Sequence, residues 1–249
     1  MRGAEGLGLR ASGVLAIVLT AAGAFAQTPD LTGVWAPYRG GRGADPALAA
    51  PAATPLVLKP QYAGPFEAKR KADADAAVKG EPVASGAVAC VPYGMPRMMS
   101  VALYPIEILP TPGQITIVTE AFSEVRRVFM NVPQLPMGDV PPGYYGRSVG
   151  KWDGASLVID TIGIKPAVPA YQNMPHSDQM RITERLRLVT RDYLHDTITI
   201  DDPLVLEKPV TYTLAYRRMP GYEMVEFVCD NNREYIDDKG GTHLKVRDR

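Results

Sequence analysis

MRITERLRLV, residues 180–189, alternates with a period of two. Met180, Ile182, Glu184, Leu186 and Leu188 share one face, while Arg181, Thr183, Arg185 and Arg187 share the other. That alternation describes a half-buried strand, so the surrounding fold contains a sheet with one wet face. One residue breaks the pattern. Glu184 stands in the apolar row, where an unpaired charge is too costly to keep. It must be paired, protonated or engaged in chemistry.

Reading outward finds more strands. PIEILPTPGQITIVTEA (105–121) is a hairpin turning at PTPG, and EVRRVFMN (124–131) follows it. SVGKWDGASLVIDTIGI (148–164) is a second hairpin, with Asp153-Gly154 the favoured pair for a tight type I′ turn. YLHDTITIDDP (193–203), PVTYTLAYRRM (209–219) and YEMVEFVCD (222–230) continue the series, and LTGVWAPY (31–38) begins it. About nine or ten short strands joined by short turns predict an all-β fold. Sequential hairpins favour an antiparallel up-and-down barrel, since closure removes exposed edges. A sandwich is the second choice. Residues 39–100 read as an irregular region with one short surface helix, PFEAKRKADADAAVKG (65–80), entered at Pro65 and largely solvated.

The first 26 residues combine Arg2 and Arg10 with an apolar run, GVLAIVLTAAGAFA, ending in Ala24-Phe25-Ala26. They predict a signal peptide, a periplasmic or secreted mature chain, and a single β-barrel domain over residues 27–249. No other apolar run is long enough to cross a bilayer as a helix. The whole chain has 27 basic and 27 acidic residues; without the leader, 25 face 26. That balance gives no electrostatic case for nucleic acid or an anionic membrane. Cys90 and Cys229 are expected to form one disulfide, given an exported chain; two free thiols or a metal pair is the competing reading.

Acids on inward rows of a barrel mark the polar end of a pocket or a paired core charge. Besides Glu184, Asp160 is in phase with Val158 and Ile162, Glu226 with Met224 and Val228, and Glu120 with Val118. Arg127, in phase with Val125 and Phe129, is the basic residue placed to face them. His176, in MPHSD, lies in the loop before the Glu184 strand. There it serves either as a general acid/base at the barrel mouth or as a loop cap. Tyr144 and Tyr145 occupy a Gly/Pro loop and suit an aromatic or amphipathic ligand, whereas Tyr212 and Tyr216 share a strand face and read as packing. His195, beside Asp196, and His243 read as surface residues. With three histidines and no H-x-x-x-H, H-E-x-x-H or C-x-x-C spacing, neither metal nor cofactor is expected. GRSVG (146–150) imitates a nucleophile elbow but introduces a hairpin strand, not a strand–turn–helix.

LTGVW, CVPYGMP, VRRVF, GRSVGKWDGASLVIDT, PHSDQMRITERLRLV, ITIDDP, KPVT and EFVCDNN, in that order, resemble a large family of secreted bacterial β-barrel proteins of the calycin (lipocalin-like) type. The resemblance covers nearly all of the mature chain. It implies one exported β-rich domain and brings no assigned activity. The positions matching its motifs are Arg127, Gly150, Trp152, Asp160, His176, Glu184 and Arg185. Ala155 departs from the acidic residue that members often carry after the hairpin glycine.

Two functional readings result. The first is a periplasmic enzyme acting on a small, largely apolar or aromatic compound by cofactor-free acid/base chemistry of the lyase or isomerase type. His176 would be the base and Glu184 its partner, with Arg127 and Tyr145 stabilising charge and Glu120, Asp160, Tyr144 and Trp152 binding substrate. The second is a carrier, in which the same barrel holds a hydrophobic ligand unchanged and the acid–arginine pairs are architecture.

Overall fold

A computed structural model describes residues 28–81, 91–101, 104–227, 234–237, 239 and 241–244. The expected leader and the expected Cys90–Cys229 bridge lie outside these residues.

Nine strands close into a barrel in chain order: β1 (Gly33–Pro37), β2 (Ile106–Thr111), β3 (Gln114–Thr119), β4 (Val125–Met130), β5 (Arg147–Asp153), β6 (Ser156–Ile162), β7 (Arg181–Thr190), β8 (Tyr193–Asp201) and β9 (Val210–Arg218). β1 closes on β9, with Trp35 opposite Arg218. Neighbours are antiparallel except β4 and β5, which run parallel with Val128 opposite Ser148. The expected all-antiparallel meander is therefore corrected at one seam, and the reason is parity. Strands that alternate direction around a closed ring must be even in number, and nine are not.

Residues 222–227, expected as a last strand, form none. Closure of β9 on β1 already occupies the edge that another strand would need. Instead, Tyr222 Oη and the Val225 amide both donate to Glu120 Oε2, at 2.9 and 3.1 Å. Outside the barrel sheet, β10 (Glu234–Ile236) pairs with β11 (Thr242–Leu244).

The helix, α1 (Pro60–Lys79), begins five residues earlier than Pro65 and contains that proline. Pro65 removes one backbone hydrogen bond, a loss tolerated near a helix start. Tertiary contacts set the early start: Leu58 bridges Leu206, and the Lys59 amide donates to Val205 O at 2.9 Å. Phe66 alone of the helix is buried, and the exposed pairs Lys69–Asp73 and Lys71–Asp75 support the helix at i,i+4 spacing. The β5–β6 hairpin also differs by one residue. Asp153 pairs with Ser156, so the loop is Gly154-Ala155 rather than Asp153-Gly154, with the glycine first and at φ 58°.

The inward rows are apolar, and Ile106, Ile108, Ile117, Leu157, Ile159, Ile182, Leu186, Leu194, Ile198 and Ile200 are all buried. Segment 91–101 plugs the barrel. Met95, Met98 and Met99 enter the core, and Tyr216 Oη donates to the Met99 carbonyl. At one end of the barrel the strands are joined by tight turns at 112–113, 154–155 and 191–192. The connections 120–124, 163–180 and 202–209, with segment 91–101, lie at the other end, the mouth.

Gly94 is where the plug meets these connections. Its φ is +65°, and a Cβ there would lie 2.6 Å from Tyr144 O and 2.7 Å from a Val168 methyl. Gly94→Ala should cost about 2–3 kcal/mol, from left-handed strain plus the clash, read as a lowered urea midpoint with unchanged slope. A midpoint equal to that of the parent would refute the close approach.

Candidate functional site

Glu184 points into the barrel and is fully buried, as its row predicts. Its partner is Arg126, not Arg127. Arg126 Nη1 donates to Glu184 Oε1 at 2.8 Å and Nη2 to Glu184 Oε2, while Nε donates to Ser148 Oγ at 3.0 Å and Nη2 also to Thr161 Oγ1 at 2.9 Å. Ser148 and Thr161 join each other at 2.8 Å. The guanidinium is thus held in a fork by a carboxylate and two hydroxyls.

Arg127 is exposed, because the inward row of β4 is Arg126 and Val128. Each row of VRRVF contains one arginine, so the apolar flank decided the reading, and Val125 and Phe129 flank the outer face. Phe129 there lies under Arg147, whose guanidinium carbon is 5.6 Å from the ring centre.

A second buried acid stands beside the pair. Asp196 lies in the inward row of β8 with Leu194, Ile198 and Ile200, opposite Leu186 and Leu214, and is fully buried. Neither of its carboxyl oxygens has a hydrogen-bond partner among the described residues. Burial, then the charge of Glu184, pushes its pKa well above the usual carboxylate range, and Arg126 offsets part of this. Burial likewise raises the Tyr212 and Tyr216 phenols, helped by Asp196 and Glu184. One cation therefore serves two acids, which leaves Asp196 as the neutral acid. The in-row logic that picks out Glu184 also applies to Asp196 in YLHDTITI, a residue not among the candidates read from the sequence.

Three other acids are not in the lumen. Asp160 is on the outer face of β6, held by Arg181 Nε and Nη2 at 2.5 and 2.8 Å. SLVIDTI is apolar on both faces, so its period does not settle its facing. Glu226 is exposed on the irregular 222–227 segment. Glu120 is buried at the end of β3, spent on Tyr222 and Val225. Trp152 does face inward, opposite Leu157 beside the β5–β6 turn, but that is the end opposite the mouth. The expected substrate-binding set is thus split between the two ends and the outer wall.

His176 is buried at the mouth, with each ring nitrogen committed. Nε2 lies 2.8 Å from Val168 O and Nδ1 2.8 Å from Ser177 O. A neutral imidazole can donate to one of these carbonyls and a cationic one to both; in neither form does a nitrogen face a substrate. Ser177 continues the clasp, donating from N and Oγ to the buried Asp202 at 2.6 and 2.8 Å. Asp202 also accepts from the Leu204 and Val205 amides. The PHS and DDP segments thus fasten two mouth connections together. His176→Ala should cost about 1–3 kcal/mol by stranding the carbonyls. It should also lower exchange protection at the Val168 amide, which donates to Lys165 O at 2.9 Å. Unchanged exchange there would show that the ring does not hold the loop.

Tyr145 donates to Glu124, which also accepts from the Tyr93 amide at 2.5 Å and the Gly94 amide at 3.3 Å. Burial raises the pKa of both groups, and the Glu124 charge raises that of Tyr145 further. Tyr144 carries Lys165 Nζ 3.4 Å above its ring. These two tyrosines brace the plug against the mouth.

Beside them lies a cleft of about 530 Å³ between α1 and the 163–180 connection. Its walls include Tyr62 and Phe66 from the helix and Pro166, Val168, Pro169 and Met174 from the connection, with Arg97 and Asn173 at the rim. His176, by holding Val168, shapes one wall. Among the described residues no group of three His, Cys, Asp or Glu side chains is placed to hold a metal ion.

No protein-family model and no curated protein matches the chain. Among solved structures it is similar to the REP1-NXSQ fatty acid transporter: 14% identity, 76% of this chain and 96% of that chain covered, TM-score 0.34. A mutant of the same transporter is similar over 76% of this chain and 98% of that one, at 14% identity and a TM-score of 0.34.

Proposed function

We propose that this chain is an exported carrier that binds a small, largely apolar molecule in the cleft between α1 and the 163–180 connection. The observation that supports it most is the cleft: about 530 Å³, lined largely by aromatic, proline and aliphatic side chains, with Gln61, Lys69, Asp73, Arg97 and Asn173 as its polar members. Ligand sites in proteins commonly have about 300–1,000 Å³ and that mixture of lining. The acid/base reading has less support, since its base, His176, and its acid, Glu184, have their polar atoms engaged by the protein itself.

The test is a fluorescence titration of the mature protein with the uncharged probe N-phenyl-1-naphthylamine, repeated with Ala167→Trp, which fills the cleft from an exposed lining position. Saturable one-site binding, weakened at least about tenfold by the tryptophan, is the expected result. Absence of binding, or equal affinity in both proteins, would refute the cleft as the site.

A further inference from the structure

The cleft is lined by one cation, Arg97, that has no acid of its own among the described residues. Arg97 sits in the short turn 97–100, and its neighbours Met98 and Met99 are buried in the barrel core, so its backbone is anchored. The guanidinium lies 5.5 Å from the centre of the Tyr93 ring, and Nη1 donates to Asn173 Oδ1 at 3.3 Å. No carboxylate among the described residues pairs with it.

Several other arginines of the barrel have acids of their own. Arg126 has Glu184, Arg181 has Asp160 and Arg185 has Asp153. Within the cleft, Lys69 and Asp73 neutralise each other at 2.6 Å. The cleft therefore has a net positive rim at Arg97, above walls made of flat rings. Tyr62 and Phe66 offer aromatic faces, and Pro166 and Pro169 offer rigid apolar ones.

We infer that the ligand of this cleft is a ring-bearing carboxylate, its anion held by Arg97 and its ring laid against Tyr62, Phe66 and Val168. The inference rests on the cleft being the binding site. A guanidinium presents parallel N–H donors that match the two oxygens of a carboxylate, and stacking on Tyr93 leaves the fork's edge available. An aliphatic or aromatic alcohol of the same shape would gain the wall contacts and lose the anion contact. A positively charged analogue would be repelled.

The mature protein is titrated calorimetrically with 1-naphthoate and with 1-naphthalenemethanol, at one pH and ionic strength. The carboxylate should bind at least about tenfold more tightly. Arg97→Gln should bring naphthoate to the affinity of the alcohol while leaving the alcohol unchanged, which also shows that the variant is folded. Equal affinities in the parent, or a naphthoate preference that survives Arg97→Gln, would overturn the inference and leave the cleft as a binding site. Binding of neither compound would overturn the cleft reading itself, and the inference with it.

Discussion

Glu184→Ala will destabilise the barrel by about 3–5 kcal/mol, a loss larger than that of any surface change. The reason lies in what remains. Arg126 is 1% exposed and would keep its two hydroxyl partners, Ser148 and Thr161, but lose both carboxylate contacts. A buried guanidinium without a counter-charge is far more costly than the pair is favourable. The double variant Arg126→Met with Glu184→Leu should therefore recover most of the loss, because both desolvated charges go together. Urea unfolding of the parent, the single and the double variant forms the necessary cycle. A single-variant loss below about 1 kcal/mol would mean that the guanidinium finds another partner or reaches water.

Asp196 makes the second large effect, and its sign is opposite. Folding buries a carboxyl group that has no partner among the described residues for either oxygen, between the Glu184 charge and two phenols. Burial beside Glu184 favours its protonated form in the folded state, whereas in the unfolded chain it ionises near pH 3.9. Its folded pKa is raised, so its contribution is fully present below the unfolded value and is lost as pH rises toward the folded one. Asp196→Asn mimics the protonated acid at every pH. Its thermal midpoint should match the parent near pH 4 and exceed it increasingly toward pH 8. The groups facing this position are Glu184, Arg126, Tyr212 and Tyr216, so no histidine titration intrudes. Parallel pH profiles for the two proteins would remove Asp196 as the source.

Those two residues also show how far a one-dimensional pattern reaches. β7 has one apolar and one polar row, so the inward placement of Glu184 is written in the alternation itself. The same is true of Asp196, whose row in β8 is equally one-sided. β4 is different: VRRVF places an arginine on each face, and only its pairing with β3, Ile117 opposite Arg126, decides which one enters the lumen. β6 is apolar on both faces because 131–147 packs over its outer side, where Gln134 Nε2 donates to Asp160 O at 3.1 Å. That cover is invisible in SLVIDTI, so the pattern points Asp160 inward although it lies on the outer face.

The site has the same division. Local patterning identifies the MPHSD loop, the tyrosine pair and the solvated helix as separate segments. It contains nothing about their meeting, since α1 and the 163–180 connection are about a hundred residues apart and neither has a strong apolar stripe. Their cleft exists because Leu58 and Lys59 anchor the helix start on the 202–206 turn, while His176 and Ser177 hold the connection opposite it.

The sequence by itself determined what repeats every two residues: the strands, the barrel class and the inward face of β7. The tertiary structure alone decided what depends on closure and on long-range neighbours. Ring parity imposed the parallel β4–β5 seam, the packed lumen chose Arg126 for Glu184 and left Asp196 with no partner among the described residues, and the gathering of connections at one end made the cleft. Alternation encodes which side of a sheet a residue occupies, but a partner or a cavity is a property of segments brought together only by the closed barrel.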